Sequence, residues 1–514
     1  MAQSGRSEPM KPASRKIVII GGGVAGLCAG VYAQASGYQV EVLEQGSVPG
    51  GLATSWKRAG YTFETCLHWL VGSSPDGALG AQWREVCDLD KLTFVYPQEF
   101  QRLETEDGRA LRIYSHVDQL EAEFLRESPR DAEEIRAFAS AIRGLADFPM
   151  EALNEAWPRK GLALLRLIPK LPLLQHWASM SAAEYGKRFE HELIRRFIVD
   201  GATSGMSVIA LVFMFAWMSR KNAGYPIGGS KAVVRLIVER FRALGGTLRL
   251  MAKADEILVE NNVAVGVRLA DGETIHADWV ISAADGHATI YDLLGGKYRD
   301  EAIDQFYEKQ QVFPSYLQVS IGVAQDLSAE PGLLSRCVTE PLRLDPETVL
   351  HDVPLRIFHY DPTFAPPGKT AVTAFLPTYN YAYWLDLERS DPKRYVAEKQ
   401  RVAEAVIATL DRRMPGIRER IETIDVSTPA SVVRFTGNWK GSMEGFLPTP
   451  GTDFGTRRQT LPGLGRFRMV GQWVQPGGGL PSGLMTARAA IRAICRDDHV
   501  PFVPKSASGV DQAA

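Results

Sequence analysis

Four apolar residues in a row, Ile17 to Ile20, run into a turn carrying Gly21, Gly23 and Gly26, a pattern that predicts a buried parallel strand and a tight connection. Val24, Leu27, Cys28, Val31, Tyr32 and Ala35 then recur at helical spacing. Gln39 to Leu43 alternates as a second strand, with Glu44 at its end. Hairpins are expected over 102–114 and 263–281, where Asp107-Gly108 and Asp271-Gly272 separate short alternating runs. The second hairpin leads into the apolar strand 278–285, which closes on Ser282-Ala283-Ala284-Asp285, small residues that let backbone pass close to a ligand. Residues 118–146 and 181–221 read as helical, and 312–324, 354–360 and 371–376 as strands. Phe467 to Trp473 is one more strand, running into Pro476-Gly-Gly-Gly-Leu-Pro-Ser-Gly483 and a helix with Leu484, Ala487, Ile491, Ile494 and Cys495 on its inner face. This second strand, glycine loop and helix unit aims a helix N-terminus at an anionic or electron-rich part of the ligand held by the first. The plainer reading is a Pro/Gly surface loop.

Length and composition narrow the class. A chain of 514 residues with 45% hydrophobic content can bury a large core and is long enough for two or three domains. Its net charge of -2 and scattered Lys and Arg leave no electrostatic footprint for nucleic acid. Five cysteines, Cys28, Cys66, Cys87, Cys337 and Cys495, lack the spacing of a metal site or a disulfide framework, which fits a reducing cytoplasm. Residues 1–14 read as a polar leader and 499–514 as a tail. No run reaches the roughly 18 apolar residues of a membrane span; Val208 to Met218, the longest, suits a buried helix. There are no internal repeats.

Gly21, Gly23 and Gly26 fill the G-x-G-x-x-G positions of a dinucleotide-binding turn, and the helix start behind them offers unpaired N–H groups to a pyrophosphate. Glu44 stands where a carboxylate accepts a ribose 2'-hydroxyl and would repel a 2'-phosphate, so FAD rather than NADP is the expected ligand. No second fingerprint of this kind follows a strand, so no nicotinamide domain is expected.

Four motifs carry a resemblance. They are Gly21 to Gly26 with Glu44; Pro49-Gly-Gly-Leu-Ala-Thr-Ser55 with Gly60-Tyr-Thr-Phe63; Tyr225-Pro-Ile-Gly-Gly-Ser230; and Val470-Gly-Gln-Trp-Val-Gln-Pro-Gly-Gly-Gly-Leu-Pro481. From about residue 16 to 497 the chain resembles the phytoene desaturase, carotenoid isomerase and retinol saturase group of FAD-dependent oxidoreductases. The resemblance implies an α/β architecture: a Rossmann-type FAD-binding fold, glutathione-reductase-like and amine-oxidase-type, with an interleaved α+β substrate domain. The FAD domain would comprise 15–95, 225–300 and 460–498, and the substrate domain 96–224 and 301–459.

Carried over by position, Gly21, Gly23, Ala25 and Gly26 would form the diphosphate turn, and Glu44 would hold the adenosine ribose. Gly50, Gly51 and Leu52 would pass close to the diphosphate, Ala254 would meet adenine through its backbone, and Asp285 would end its strand beside the diphosphate. Gly471, Gln472, Gly479 and Leu480 would border the flavin ring. Two departures stand out: Leu52 replaces a frequent arginine, and Cys66-Leu-His-Trp69 replaces a Gly-Pro pair.

The implied activity is desaturation, saturation or isomerisation of carbon–carbon bonds in an apolar polyene or lipid. Because the flavin carries such chemistry, neither a Ser-His-Asp constellation nor a metal site is needed. Amine oxidation by the same cofactor is an alternative. So is a redox-inactive escort or GDP-dissociation-inhibitor-like role. Cys66, His68 and Trp69 lie where the chain returns toward the substrate, and His68 is the candidate for moving a proton. The competing assignment makes His68 and Cys66 packing residues. Lys160 to Trp177, apolar with interspersed basic residues, is expected either to contact the inner membrane surface peripherally at the cleft mouth or to form a buried helix pair. The sequence implies no oligomeric state.

Overall fold

The computed structural model describes residues 15–65, 67–148, 167–199, 203–452, 459–504 and 506, so Cys66, the leader and the end of the tail lie outside the described residues. Strands are numbered along the chain. The first sheet runs in the order β10 (Thr247–Arg249), β2 (Gln39–Leu43), β1 (Lys16–Ile20), β14 (Trp279–Ser282), β20 (Phe467–Met469), with every pair parallel. Helix α1 (Val24–Ala35) makes the crossover from β1 to β2. Ile17, Val18 and Ile19 are wholly buried, as an unbroken apolar run in a parallel sheet requires. The sheet draws its strands from the start, middle and end of the chain and brings their carboxyl ends to one edge, where ligands bind in open α/β sheets.

A second sheet runs β19 (Ile421–Ser427), β15 (Ser315–Val323), β18 (Thr370–Thr378), β17 (Val349–Ile357), β16 (Leu333–Arg343), β7 (Glu99–Thr105), β8 (Ala110–Tyr114). It is antiparallel except where β16 meets β7. Alternation gives it two faces. Leu317, Val319, Ile321, Val353, Leu355 and Ile357 join the core with Trp384 and with Val402, Val406 and Leu410 of a long helix. Tyr316, Gln318, Pro354, Arg356, Thr373 and Phe375 point the other way, into a large cavity.

The remaining strands are short. β11 (Ala254–Glu260), β12 (Val263–Leu269) and β13 (Thr274–His276) form a meander. β3 (Ser55–Arg58) pairs with β4 (Tyr61–Glu64), and β5 (Leu70–Val71) and β6 (Phe94–Val95) flank β9 (Ala223–Pro226).

Both expected hairpins are present, β7–β8 and β12–β13. The helical stretch 118–146 is broken at Ser128-Pro129, because proline disfavours a helical residue before it. Among the described residues, the stretch 181–221 contains the helices Ala182–Gly186, Glu192–Ile198 and Ile209–Ser219. The second starts at His191, whose ring accepts from the Ile194 N–H. The strand expected over 354–360 begins earlier, at Val349, and stops at Ile357. Part of the segment expected as a tail, residues 499–503, packs against the domain. The Val500 N–H donates to the Cys495 carbonyl at 2.8 Å, Phe502 packs on Tyr32, and the Val503 N–H donates to Ser36 Oγ at 3.2 Å.

Candidate active site

The glycine turn is built by close approach. A Cβ on Gly26 would lie 2.0 Å from the Gly21 carbonyl oxygen, so only glycine lets α1 start this near β1. Gly23 is the N-cap and has no side-chain cap; a Cβ there would meet nothing nearer than the Gly50 carbonyl oxygen at 3.8 Å. Gly50, at φ +125°, donates its N–H to the Gly22 carbonyl at 2.9 Å and so lays the glycine pair across the turn, with Leu52 next in line. The Thr65 hydroxyl donates to the Leu52 carbonyl at 3.2 Å and ties that loop to β4.

Glu44 ends β2 as a buried carboxylate. Oε2 accepts from the Gly22 N–H at 2.8 Å and Oε1 from the Gly46 N–H at 2.7 Å. Each oxygen keeps a lone pair for a hydroxyl. Ala254, which opens β11, lies two residues beyond Ala252, whose N–H donates to the Glu44 carbonyl at 2.8 Å.

The C-terminal glycine loop reaches the same place. The last helix, Gly479–Asp497, also starts without a side-chain cap, and Gly483 sits so close that its Cβ would be 3.2 Å from the Ala25 nitrogen. Ala25 is pinned from the other side too, 3.3 Å from where a Cβ on Gly471 would be. Its small side chain therefore lets two helix starts converge. The Gly471 N–H donates to Thr486 Oγ1 at 2.8 Å, which fixes the end of β20 on this helix. Two uncapped helix starts, a glycine cradle and a carboxylate with spare lone pairs fit the diphosphate and ribose of FAD.

Asp285, three residues after β14, accepts from the Ala288 and Trp439 N–H groups at 2.8 Å each. It clamps the segment around Trp439 to the first sheet. Burial holds its carboxyl up at about 6.

Beyond the glycine loops opens a cavity of about 1930 Å³, roughly twice the upper range of drug-sized pockets. Leu52, Gly479 and Leu480 stand on its wall, as do His68 and Trp69; Glu44, Asp285 and Gly471 do not. The sequence-derived residues thus fall into a group at the sheet edge and a group at the cavity. The apolar helix Ile209–Ser219 explains itself here. Ile209, Val212, Phe215 and Ala216 pack into the core, while Leu211, Phe213, Met214 and Trp217 face the cavity. His68 lies 6.3 Å from Phe375 and 5.9 Å from Trp69 between ring centres. Burial, helped by the Arg356 charge, holds its pKa well below the ordinary histidine value, so its ring is neutral at neutral pH.

Sequence reasoning missed two acids on this wall. The buried Glu64 carboxylate accepts from the N–H groups of Ser230 and Leu67 at 3.0 Å, and burial pushes it up to about 7. That contact gives Tyr225-Pro-Ile-Gly-Gly-Ser230 its role: a Cβ on Gly229 would lie 1.7 Å from Glu64 Oε2, and the Gly228 N–H donates to Asp361 at 2.8 Å. Two acids from elsewhere in the chain thereby cap the helix Gly229–Ala243. The one available signal for Glu64 was its position directly after Gly60-Tyr-Thr-Phe63. Glu444 carries no sequence signal. Its backbone presses on Gly478, no hydrogen bond or ion pair engages its carboxyl among the described residues, and burial raises it to about 7.

Residues 24–495 match the model of the flavin containing amine oxidoreductase family. The phytoene desaturase (lycopene-forming) of Pseudescherichia vulneris is 26% identical, over 94% of this chain and 99% of its own. The chloroplastic prolycopene isomerase of Arabidopsis thaliana is 25% identical, over 83% and 73%. Among solved structures, the cyclohexylamine oxidase of Brevibacterium oxydans aligns with a TM-score of 0.60 at 15% identity, over 95% of this chain and all of that one, a likeness of fold. With a glycine cradle suited to FAD and a family model spanning nearly its whole length, this FAD-dependent oxidoreductase belongs to the flavin containing amine oxidoreductase family.

Proposed function

We propose that the enzyme desaturates, saturates or isomerises carbon–carbon bonds in an apolar polyene or comparable lipid. One observation carries the reading: a helix apolar on every side presents Leu211, Phe213, Met214 and Trp217 to a cavity that runs to the glycine loop at Gly479 and Leu480. An apolar wall of this extent favours a long apolar occupant, since covering it removes apolar surface from water. The relatives named for desaturation of phytoene and isomerisation of prolycopene support the same reading.

Bound FAD supplies the two-electron chemistry. Gly21, Gly23, Ala25, Gly26, Gly50 and Gly51 would cradle its diphosphate, Glu44 its ribose and Ala254 its adenine. Asp285 holds the neighbouring segment, and Gly471, Gln472, Gly479, Leu480 and Leu52 would border its ring. Leu211 and Phe213 exclude water from the occupant. Burial lets the wall carboxyls of Glu64 and Glu444 hold a proton near neutral pH, and His68, held neutral, can accept one. Cys66 stays a candidate from sequence alone, while Trp69, 5.6 Å from Phe100, shapes the wall.

The entrance is proposed beside Leu171–Ala178. Leu174 and Ala178 line the cavity while Ile168 and Leu171 are exposed, so this corner would rest peripherally on a membrane from which an apolar substrate enters. Leu167 and Trp177, part of the same expected patch, are core residues, and 160–166 lie outside the described residues.

The test is to extract the purified yellow protein with organic solvent and identify what it carries. A conjugated or long-chain apolar compound is expected. An extract holding a small amine and nothing apolar would favour amine oxidation.

A further inference from the structure

The helical side of the cavity wall is largely apolar, and its arginines, Arg196 and Arg220, are ion-paired; the sheet side carries Arg356. Arg356 lies on β17, opposite Thr373 on β18 and Leu333 on β16. Its neighbours in sequence, Leu355 and Ile357, are buried on the other face. It stands where the large cavity meets a smaller one of about 330 Å³, and His68, Trp69 and Phe100 line both.

Among the described residues, three arginines line the large cavity. Arg196 pairs with Asp352 at 3.0 Å, and Arg220 with Asp147 at 2.8 Å. Arg356 has no carboxylate within ion-pair distance among the described residues. The carboxylates of the smaller cavity are taken as well, Glu99 by Arg102 at 2.7 Å and Glu330 by Arg413 at 3.1 Å. Its polar neighbours are the Tyr360 hydroxyl and the His68 ring. Burial keeps both uncharged, by raising the one and lowering the other, so neither neutralises it.

When the cavity holds only water, that water can hydrate the guanidinium. A pure hydrocarbon filling the cavity would displace the water and leave the guanidinium N–H donors that the Tyr360 hydroxyl does not engage without acceptors, which is costly. We propose that Arg356 receives the carboxylate of an otherwise apolar substrate, so that the molecule handled here is a carboxylate-terminated polyene or long-chain acid. A planar guanidinium matches one carboxylate with two parallel hydrogen bonds. A diphosphate would call for further free cations, and the other two wall arginines are already paired.

This inference rests on the reading that the cavity takes an apolar substrate, and a matched pair of probes separates the two. All-trans-retinoic acid and all-trans-retinol share a polyene and differ at the end group. Binding of each to the FAD-loaded protein is read by quenching of tryptophan fluorescence. The acid should bind at least about 10-fold more tightly, as expected for one charge-assisted pair. Arg356→Met should abolish the preference and leave retinol affinity within about 2-fold, while Arg356→Lys should keep part of it. Retained flavin content reports folding, and the comparison in the parent decides even if Arg356→Met fails to fold. Equal affinities in the parent, or a preference that survives in Arg356→Met, would overturn the inference and leave the apolar reading standing. Binding of neither probe would overturn both.

Discussion

At Glu44 one carboxylate satisfies the backbone of Gly22 and Gly46, and the proposed site asks it to accept from a ribose as well. Truncation to alanine would strand both N–H groups, so the informative variant is Glu44→Gln, which keeps one acceptor and removes the charge. A lost charge-assisted hydrogen bond is worth about 1.5–3 kcal/mol, hence FAD affinity roughly 10- to 150-fold weaker. Titration of the apoprotein with FAD checks this, and an unchanged Kd removes Glu44 from the site. Glu444 makes a prediction of its own. Its carboxyl is raised from the ordinary 4.5 to about 7 by burial, so the folded protein binds this proton more tightly than the unfolded chain. The stabilisation is present below the ordinary value and lost as pH rises through about 7. On going from about pH 5 to about pH 8, the Tm of Glu444→Gln should gain on the parent by roughly 1–3 °C. A difference that stays constant over that range would show that burial does not perturb this group.

Among elements, the glycine-bearing ones were the most legible. Gly21, Gly26 and Gly50 are demanded by backbone contacts within a few residues or by a positive φ, and such local constraints survive in sequence. Arg356 and Glu444 were invisible for the opposite reason: what matters about them is the lack of an opposite charge, and such charges come from distant strands. The helix Ile209–Ser219 was legible as buried, but its second face looks onto a cavity, which no periodicity can announce. For Lys160 to Trp177, sequence offered membrane contact or burial, and the structure divides the described part, with Leu167 and Trp177 inward and Ile168 and Leu171 outward. Exposed apolar side chains beside an entrance favour an interface. The protein should float with anionic liposomes, and Ile168→Ser with Leu171→Ser should reduce the floated fraction several-fold. A parent protein that stays with the soluble fraction would dismiss the contact.

Over the whole molecule, one parallel sheet with strands from the start, middle and end of the chain holds the glycine turn, and a second, of strands from 99–114 and 315–427, roofs the cavity. Alternation explains the roof. Val353, Leu355 and Ile357 serve the core while Pro354 and Arg356 serve the site. No helix among the described residues is long and apolar enough to cross a membrane. The chain carries a single dinucleotide fingerprint, at Gly21 to Gly26, so the bound flavin should not be reduced rapidly by NADH or NADPH. Full reduction within the dead time of a stopped-flow mix would contradict that.

The central claim is that the cavity delivers a carbon–carbon bond of an apolar molecule to the flavin site built around Gly21 to Gly26 and Gly479. Its most direct test is anaerobic incubation of the FAD-loaded protein with conjugated polyenes and, separately, with alkyl amines, followed by chromatography of the products and the flavin spectrum. A polyene product altered in conjugation or double-bond geometry, formed only when FAD is bound, with no flavin reduction by amines, is the predicted result. Polyenes recovered unchanged while an amine reduces the flavin would contradict the account.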